Sequence, residues 1–181
     1  MSHHSKVNIL VADDDPVFRS LVDSRLFHLG CQIHEAADGS EAWRVTRTHK
    51  LDLALVDFEM PGLDGLALTR CLRAHPQTRH IPIVMCTSRT DGASMMAALE
   101  AGVSSFMTKP VNWSLFEGHI RHLLHASEAS AKNAAALEII CQVNAQKDAV
   151  LARLTASVLP LLQRASQDPQ LAPLAAQAHA L

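Results

Sequence analysis

Hydrophobic residues in the first two thirds of the chain come in short blocks that alternate between two periods. Val7–Ala12, Leu51–Val56 and Ile81–Cys86 are nearly unbroken apolar runs rich in Val, Ile and Leu, the pattern of strands buried on both faces. Gln32–Ala36 and Ser104–Thr108 read as two shorter strands. Between the runs, apolar residues recur at helical spacing: Val17, Leu21, Val22, Leu26 and Leu29, then Ala42 and Val45, then Leu66, Leu68 and Leu72. The spacing predicts helices from Pro16, over Glu41–His49, over about Leu63–His75, over Ala93–Ala101, and from Trp113 toward His125. Local chemistry agrees. Asp15 suits a helix cap and Pro16 the first turn, Gly30 and Gly102 stop helices, and Asp38-Gly39 reads as a turn. Pro82 falls near the start of its strand, where a missing N–H is tolerable.

Five repeats of strand then helix with short connections call for a parallel sheet covered by helices on both faces. Right-handed crossovers restrict the topologies. The expected fold is therefore α/β: a flavodoxin-like, doubly wound, five-stranded parallel sheet of order 2-1-3-4-5, with a C-terminal helical extension. Its topological switch point lies between the first and third strands, where ligands of such sheets bind.

The strand ends carry the chemistry. Asp13-Asp14 follow the first strand, Asp57 the third and Lys109 the fifth. Parallel strands aim their carboxyl ends at one rim, so three carboxylates and one ammonium meet in one crevice. Carboxylates cannot crowd together without raising their pKa values or recruiting a cation. A hard divalent ion with oxygen ligands, Mg²⁺ or Mn²⁺, is the economical solution. One carboxylate is then left as a nucleophile toward a phosphoryl group.

Composition narrows the class. The chain has 181 residues, 48% of them hydrophobic, enough for one packed domain and an appendage. A net charge of −2 without a Lys/Arg cluster gives no electrostatic footprint for nucleic acid or an anionic membrane. No apolar run approaches the ~20 residues needed to cross a bilayer, and MSHHSK lacks the apolar stretch of a signal peptide. Cys31, Cys71, Cys86 and Cys141 form no CxxC pair and read as reduced, packed thiols. The expected location is cytoplasmic.

From Ser127 to Ala165 glycine is absent and helix formers dominate. Leu137, Asn144, Leu151 and Val158 repeat every seven residues, and Ile140, Lys147, Leu154 and Leu161 repeat three positions later. This resembles a heptad seam with a polar core position, a device that fixes register. An amphipathic helix packed within the chain or on a further domain is the alternative. Pro160 should kink or end the helix, and Asp168-Pro169 to Leu181 reads as a short helix or frayed tail. The expected division is 1–125 and 126–181, the second part serving for dimerisation or as a linker to a further domain. Lys132, Lys147, Arg153 and Arg164 balance Glu128, Glu138, Asp148 and Asp168, so this part is not a DNA-binding module by charge.

Taken together, LVADDDP, LVDFEMPGLDG, VMCTS and FMTKP resemble the receiver domain of bacterial two-component response regulators, over residues 6–125. The resemblance implies that Asp57 accepts a phosphoryl group from a histidine kinase or phosphotransfer protein. It implies that Asp14 ligates Mg²⁺, Asp13 acts nearby through a water, and Asp57 and the backbone carbonyl of Glu59 complete the protein ligands. Thr87 would hydrogen-bond one phosphoryl oxygen and Lys109 pair with another, or with Asp57 before phosphorylation. Phe106 takes the aromatic switch position, and Lys109-Pro110 is expected to be cis. Such a domain assists its own modification but is not otherwise an enzyme. Signalling is expected on the face of the fourth helix, fifth strand and fifth helix.

Glu59 and Arg89 fall two residues after Asp57 and Thr87, at the expected mouth of the site. There they can pair and hinder an attacking water; two solvated side chains of little consequence are the alternative. Asp15 and Asp64 are expected to cap rather than ligate. His119, His122 and His125 are expected on a solvated face, and Met95-Met96 in packing. Two other function classes share parts of this pattern: a metal-dependent phosphohydrolase with Asp57 as nucleophile, and a phosphorylation-independent scaffold that dimerises through its helical tail. Short loops without a substrate-binding insertion weigh against the first, and the complete acidic set against the second.

Overall fold

The computed structural model describes residues 6–89 and 91–167. The chain divides into two compact units, Met1–Ala129 and Ser130–Leu181. In the first, strands β1 (Val7–Ala12), β2 (Cys31–Ala36), β3 (Leu53–Asp57), β4 (Ile83–Thr87) and β5 (Ser105–Thr108) form one parallel sheet of order β2-β1-β3-β4-β5. Helices α1 (Pro16–Phe27), α2 (Gly39–Thr48), α3 (Gly65–Ala74) and α4 (Gly92–Ala101) alternate with the strands. Helix α5 runs over Trp113–Gln167.

The sheet is buried because its strands are apolar on both faces. Leu10, Ala12, Ala54, Val56 and Ile83 meet Ala42, Leu68 and Leu72 of α2 and α3 on one side. Ile9, Val11, Leu53, Leu55 and Val84 meet Phe18, Val22 and Leu26 of α1 and Phe116 and Ile120 of α5 on the other. Register sets the functional rim. Ala12 pairs with Val56 and Asp57 with Cys86, so Asp13, Asp57 and Thr87 emerge at one edge of the sheet.

Several elements differ in detail from their expected form. Asp38-Gly39 opens α2 rather than making a separate turn. The Asp38 carboxylate accepts from the Glu41 amide, and the Glu41 carboxylate accepts in return from the Ala37 amide. Leu51 is buried but precedes β3, while Pro82 lies immediately before β4, near the strand start as expected. Helix α5 is continuous where two stretches are read separately, because no glycine or proline falls between Gly118 and Pro160. It also runs through Pro160, which has no N–H to donate. Asp168 and the residues after it lie outside the described residues.

Met95 and Met96 are exposed rather than packed, as is Cys141. Helix α4 buries only Ala98 and Ala101 against the sheet, and that narrow face leaves both methionines on the outside. Among the described residues, no helix is long and apolar enough to cross a membrane.

Candidate functional site

The three acids occupy one rim at different depths. Asp13 is 1% exposed and Asp57 8%, whereas Asp14 faces solvent. Each offers a carboxylate oxygen within 4.8 Å of the other two. The crowding is partly relieved by Lys109, whose Nζ donates to Asp13 Oδ2 at 2.8 Å and to Asp57 Oδ2 at 2.9 Å. Asp13 Oδ1 also accepts from the Asp15 amide at 3.0 Å. Lys109 enters from the end of β5 and begins a cis Lys109–Pro110 peptide.

Electrostatics follow from this arrangement. Burial pushes the Asp57 carboxyl above its ordinary pKa. Lys109 opposes that shift by hydrogen bond and charge, and the Asp13 carboxylate adds to it. Burial works against the Lys109 ammonium too, but bonds to Asp13 and Asp57 outweigh it and hold its pKa above the usual value. One ammonium is thus shared between two deep carboxylates and neutralises neither fully. Burial pushes the neighbouring Cys86 thiol up to about 12, so it is an inert packing residue at neutral pH.

A shallow cavity of about 420 Å³ opens beside the acids, lined by Asp14, Phe58, Glu59, Met60, Pro61, Asp64 and Arg89. Glu59 and Arg89 do meet across it, with Nε and Oε1 3.2 Å apart and both side chains at least half exposed. The Arg89 guanidinium also sits 5.5 Å from the centroid of the Phe58 ring. Thr87 is buried and its Oγ1 accepts from the Arg89 amide at 2.9 Å. Phe106 is half-buried and packs against the cluster of Met85, Ala98 and Val103. Asp15 and Asp64 cap α1 and α3, accepting from the Val17 and Ala67 amides. Of the three α5 histidines, His122 and His125 are exposed, while His119 is half-buried and bonds Ser105 Oγ at 2.9 Å.

Some contributors carry no sequence signal. The Phe18 ring lies 4.7 Å from Lys109 Nζ and so floors the ammonium. Arg19 donates from Nη1 to the Asp13 carbonyl at 2.7 Å while its Nε pairs with Glu35 at 2.9 Å, tying the β1–α1 loop to β2. Gly65 lets α3 start directly over Asp57, because a Cβ there would collide with the Asp57 carbonyl oxygen. The donor set suits a hard divalent cation: clustered carboxylate oxygens with surplus negative charge and no soft ligand in the group.

Comparison with known proteins agrees with this geometry. The chain is 26% identical over 166 residues to the transcriptional regulatory protein AfsQ1 of Streptomyces coelicolor, covering 90% of this chain and 72% of that protein. It is 34% identical over 115 residues to the response regulator PleD of Caulobacter vibrioides, covering 64% of this chain but only 25% of PleD. Among solved structures, the receiver domain of a sensor histidine kinase from Pseudomonas aeruginosa PAO1 superposes with a TM-score of 0.62 at 27% identity, over 67% of this chain and 99% of that one; it has a magnesium ion coordinated in its active-site cleft. The family description "response regulator receiver domain" matches residues 9–121, and the chain belongs to that family.

Proposed function

We propose that this chain is the phosphorylation-driven switch of a two-component phosphorelay, with Asp57 as its phosphoacceptor. The observation that carries this reading is the Lys109 ammonium held between Asp13 and Asp57, beside an open cavity that Asp14 borders. An Asp57 oxygen attacks the phosphorus of a phosphohistidine, the P–N bond breaks, and its electron pair leaves with the imidazole. Asp13, Asp14, Asp57 and the Glu59 carbonyl would hold Mg²⁺, which would supply charge neutralisation at the phosphoryl oxygens. Lys109 exchanges its Asp57 partner for a phosphoryl oxygen, and Thr87 turns its hydroxyl to donate to another. The phosphodonor is a histidine kinase or a phosphotransfer protein. The domain acts on itself alone, and its acyl phosphate decays by hydrolysis.

The switch is a population shift between two packings biased by one local charge event. Thr87 movement opens space beside the Phe106 ring, and the surface of α4 and β5 changes its preference for partners. Exposed Met95, Met96 and Leu99 on α4 give that surface an apolar contact. The Glu59–Arg89 pair tunes signal lifetime by standing over the cavity mouth. The helix of the second unit supplies self-association.

Intact-mass measurement after incubation with acetyl phosphate and Mg²⁺ tests the assignment. Wild type gains one phosphoryl group and Asp57→Asn gains none. Labelling of the variant at the wild-type rate would overturn it. Autodephosphorylation of Glu59→Ala and Arg89→Ala tests the tuning role; unchanged rates in both would remove it.

A further inference from the structure

The second unit presents an apolar stripe to solvent. Leu137, Ile140, Leu151, Leu154, Val158 and Leu161 are each between 45% and 63% exposed. They fall on the two heptad positions that make a seam, with Asn144 and Lys147 the polar members. Val143 and Val150, at 57% and 55% exposure, widen the stripe along one flank. A stripe of this width in water wants a cover, and its own polar residues specify which one.

We propose that the cover is the same helix of a second copy, running antiparallel, with Asn144 against the partner's Lys147. This rests on the self-association reading above and adds its orientation and register. In a parallel pair, equivalent positions face each other. Lys147 would then meet the partner's Lys147 inside the seam, like charge on like charge. The flanks would set Val143 beside the partner's Asp148.

An antiparallel pair instead sets each seam position opposite the other kind. One register matches polar with polar throughout the centre. Leu137 meets the partner's Leu154, Ile140 meets the partner's Leu151, and Asn144 meets the partner's Lys147, whose ammonium donates to the amide oxygen. By the two-fold symmetry each contact occurs twice. The flank then pairs Val143 with the partner's Val150, apolar with apolar, and leaves Asp148 near the partner's Cys141. Sliding by one heptad in either direction puts Asn144 and Lys147 against Leu or Ile. The polar residues thus act as register keys: a mismatched register buries them unsatisfied.

The full chain serves for the test. Sedimentation equilibrium at micromolar concentrations should find a dimer; a monomer at 100-fold higher concentration would overturn self-association and the proposal with it. Orientation is read by disulfide trapping in a Cys141→Ser background. Leu137→Cys mixed with a differently tagged Leu154→Cys should give mixed-tag dimers, whereas each variant alone should give few. Same-tag Leu137→Cys dimers in place of mixed ones would overturn the antiparallel arrangement while leaving self-association standing. Asn144→Asp gives an independent sign. In the antiparallel pair the new carboxylate faces the partner's Lys147 and should tighten the dimer several-fold. In a parallel pair the two substituted positions would face each other, carboxylate on carboxylate. Weakened association of that variant would overturn the register.

Discussion

Replacing Lys109 by Met isolates the charge balance of the site. The variant keeps an apolar stem over Phe18 and removes the ammonium from between Asp13 and Asp57. Two charge-assisted hydrogen bonds at about 1.5–3 kcal/mol each put the loss at about 3–6 kcal/mol. Protonation sets a ceiling, because Asp57 can escape by binding a proton. That escape costs about 1.4 kcal/mol per pH unit above the ordinary carboxylate value of 3.8. The ceiling is therefore about 5 kcal/mol at pH 7.5 and about 1.6 kcal/mol at pH 5.

The sign follows from linkage. Burial and Asp13 already hold the folded pKa of Asp57 above its unfolded value, and loss of Lys109 raises it further. Between those two values the folded state binds a proton that the unfolded state has released, so stability falls as pH rises through the window. Urea denaturation of wild type and Lys109→Met in EDTA should show a gap of about 3–5 kcal/mol at pH 7.5 that narrows to under about 2 kcal/mol at pH 5. Mg²⁺ should close part of the gap at pH 7.5 by taking over the neutralisation. A gap below about 1 kcal/mol at pH 7.5, or one unchanged between the two pH values, would refute the reasoning.

Other expectations follow from the same structure. Asp14→Asn should leave metal-free stability within about 0.5 kcal/mol because Asp14 is exposed, yet abolish the rise in Tm on titration with MgCl₂. Gly65→Ala forces α3 off the Asp57 carbonyl; overpacking of about 1–3 kcal/mol should appear in denaturation, with acetyl phosphate labelling slowed about 100-fold by the displaced acceptor. Arg73 donates to the carbonyls of Gly102 and Ile81 at 2.8 Å and to that of Arg79 at 3.1 Å, binding the end of α3 to two loops. Arg73→Ala should cost about 2–4 kcal/mol in urea while labelling of Asp57 proceeds at the wild-type rate.

Strand identity and the placement of the rim residues were legible because both follow from short-range rules. Apolar runs flanked by acidic turns can bury only as central parallel strands, and the residue after each run must then reach the carboxyl edge. Asp13, Asp57 and Thr87 are therefore located by counting along β1, β3 and β4. What escaped depends on distances across the fold. Phe18 looks like any apolar helix residue until α1 is laid beside β5, and Arg19 reads as a solvated cation until its guanidinium meets the Asp13 carbonyl. His119 differs from His122 only because its side of α5 faces Ser105. Met95 and Met96 read as packing because apolar composition alone does not say which face of a small-residue helix is turned inward.

The differing depths of the three acids bear on how the proposed switch stores its signal. Lys109 serves the two deep carboxylates, and Asp14 stays on the solvent side, beside the open cavity from which the proposed cation would enter. Three carboxylates against one ammonium leave a surplus of two negative charges, which a divalent ion cancels. Phosphorylation of Asp57 replaces a monoanion by a group approaching a dianion, so negative charge returns to a site that had been balanced. In the proposed switch Lys109 would give up Asp57 for a phosphoryl oxygen and the Thr87 hydroxyl would turn to another, while Asp13 keeps the Asp15 amide as a donor. The conformational bias thus comes from redistribution of a few donors among more acceptors. It follows that variants altering donor number at this rim should shift the switch even where the backbone is unchanged.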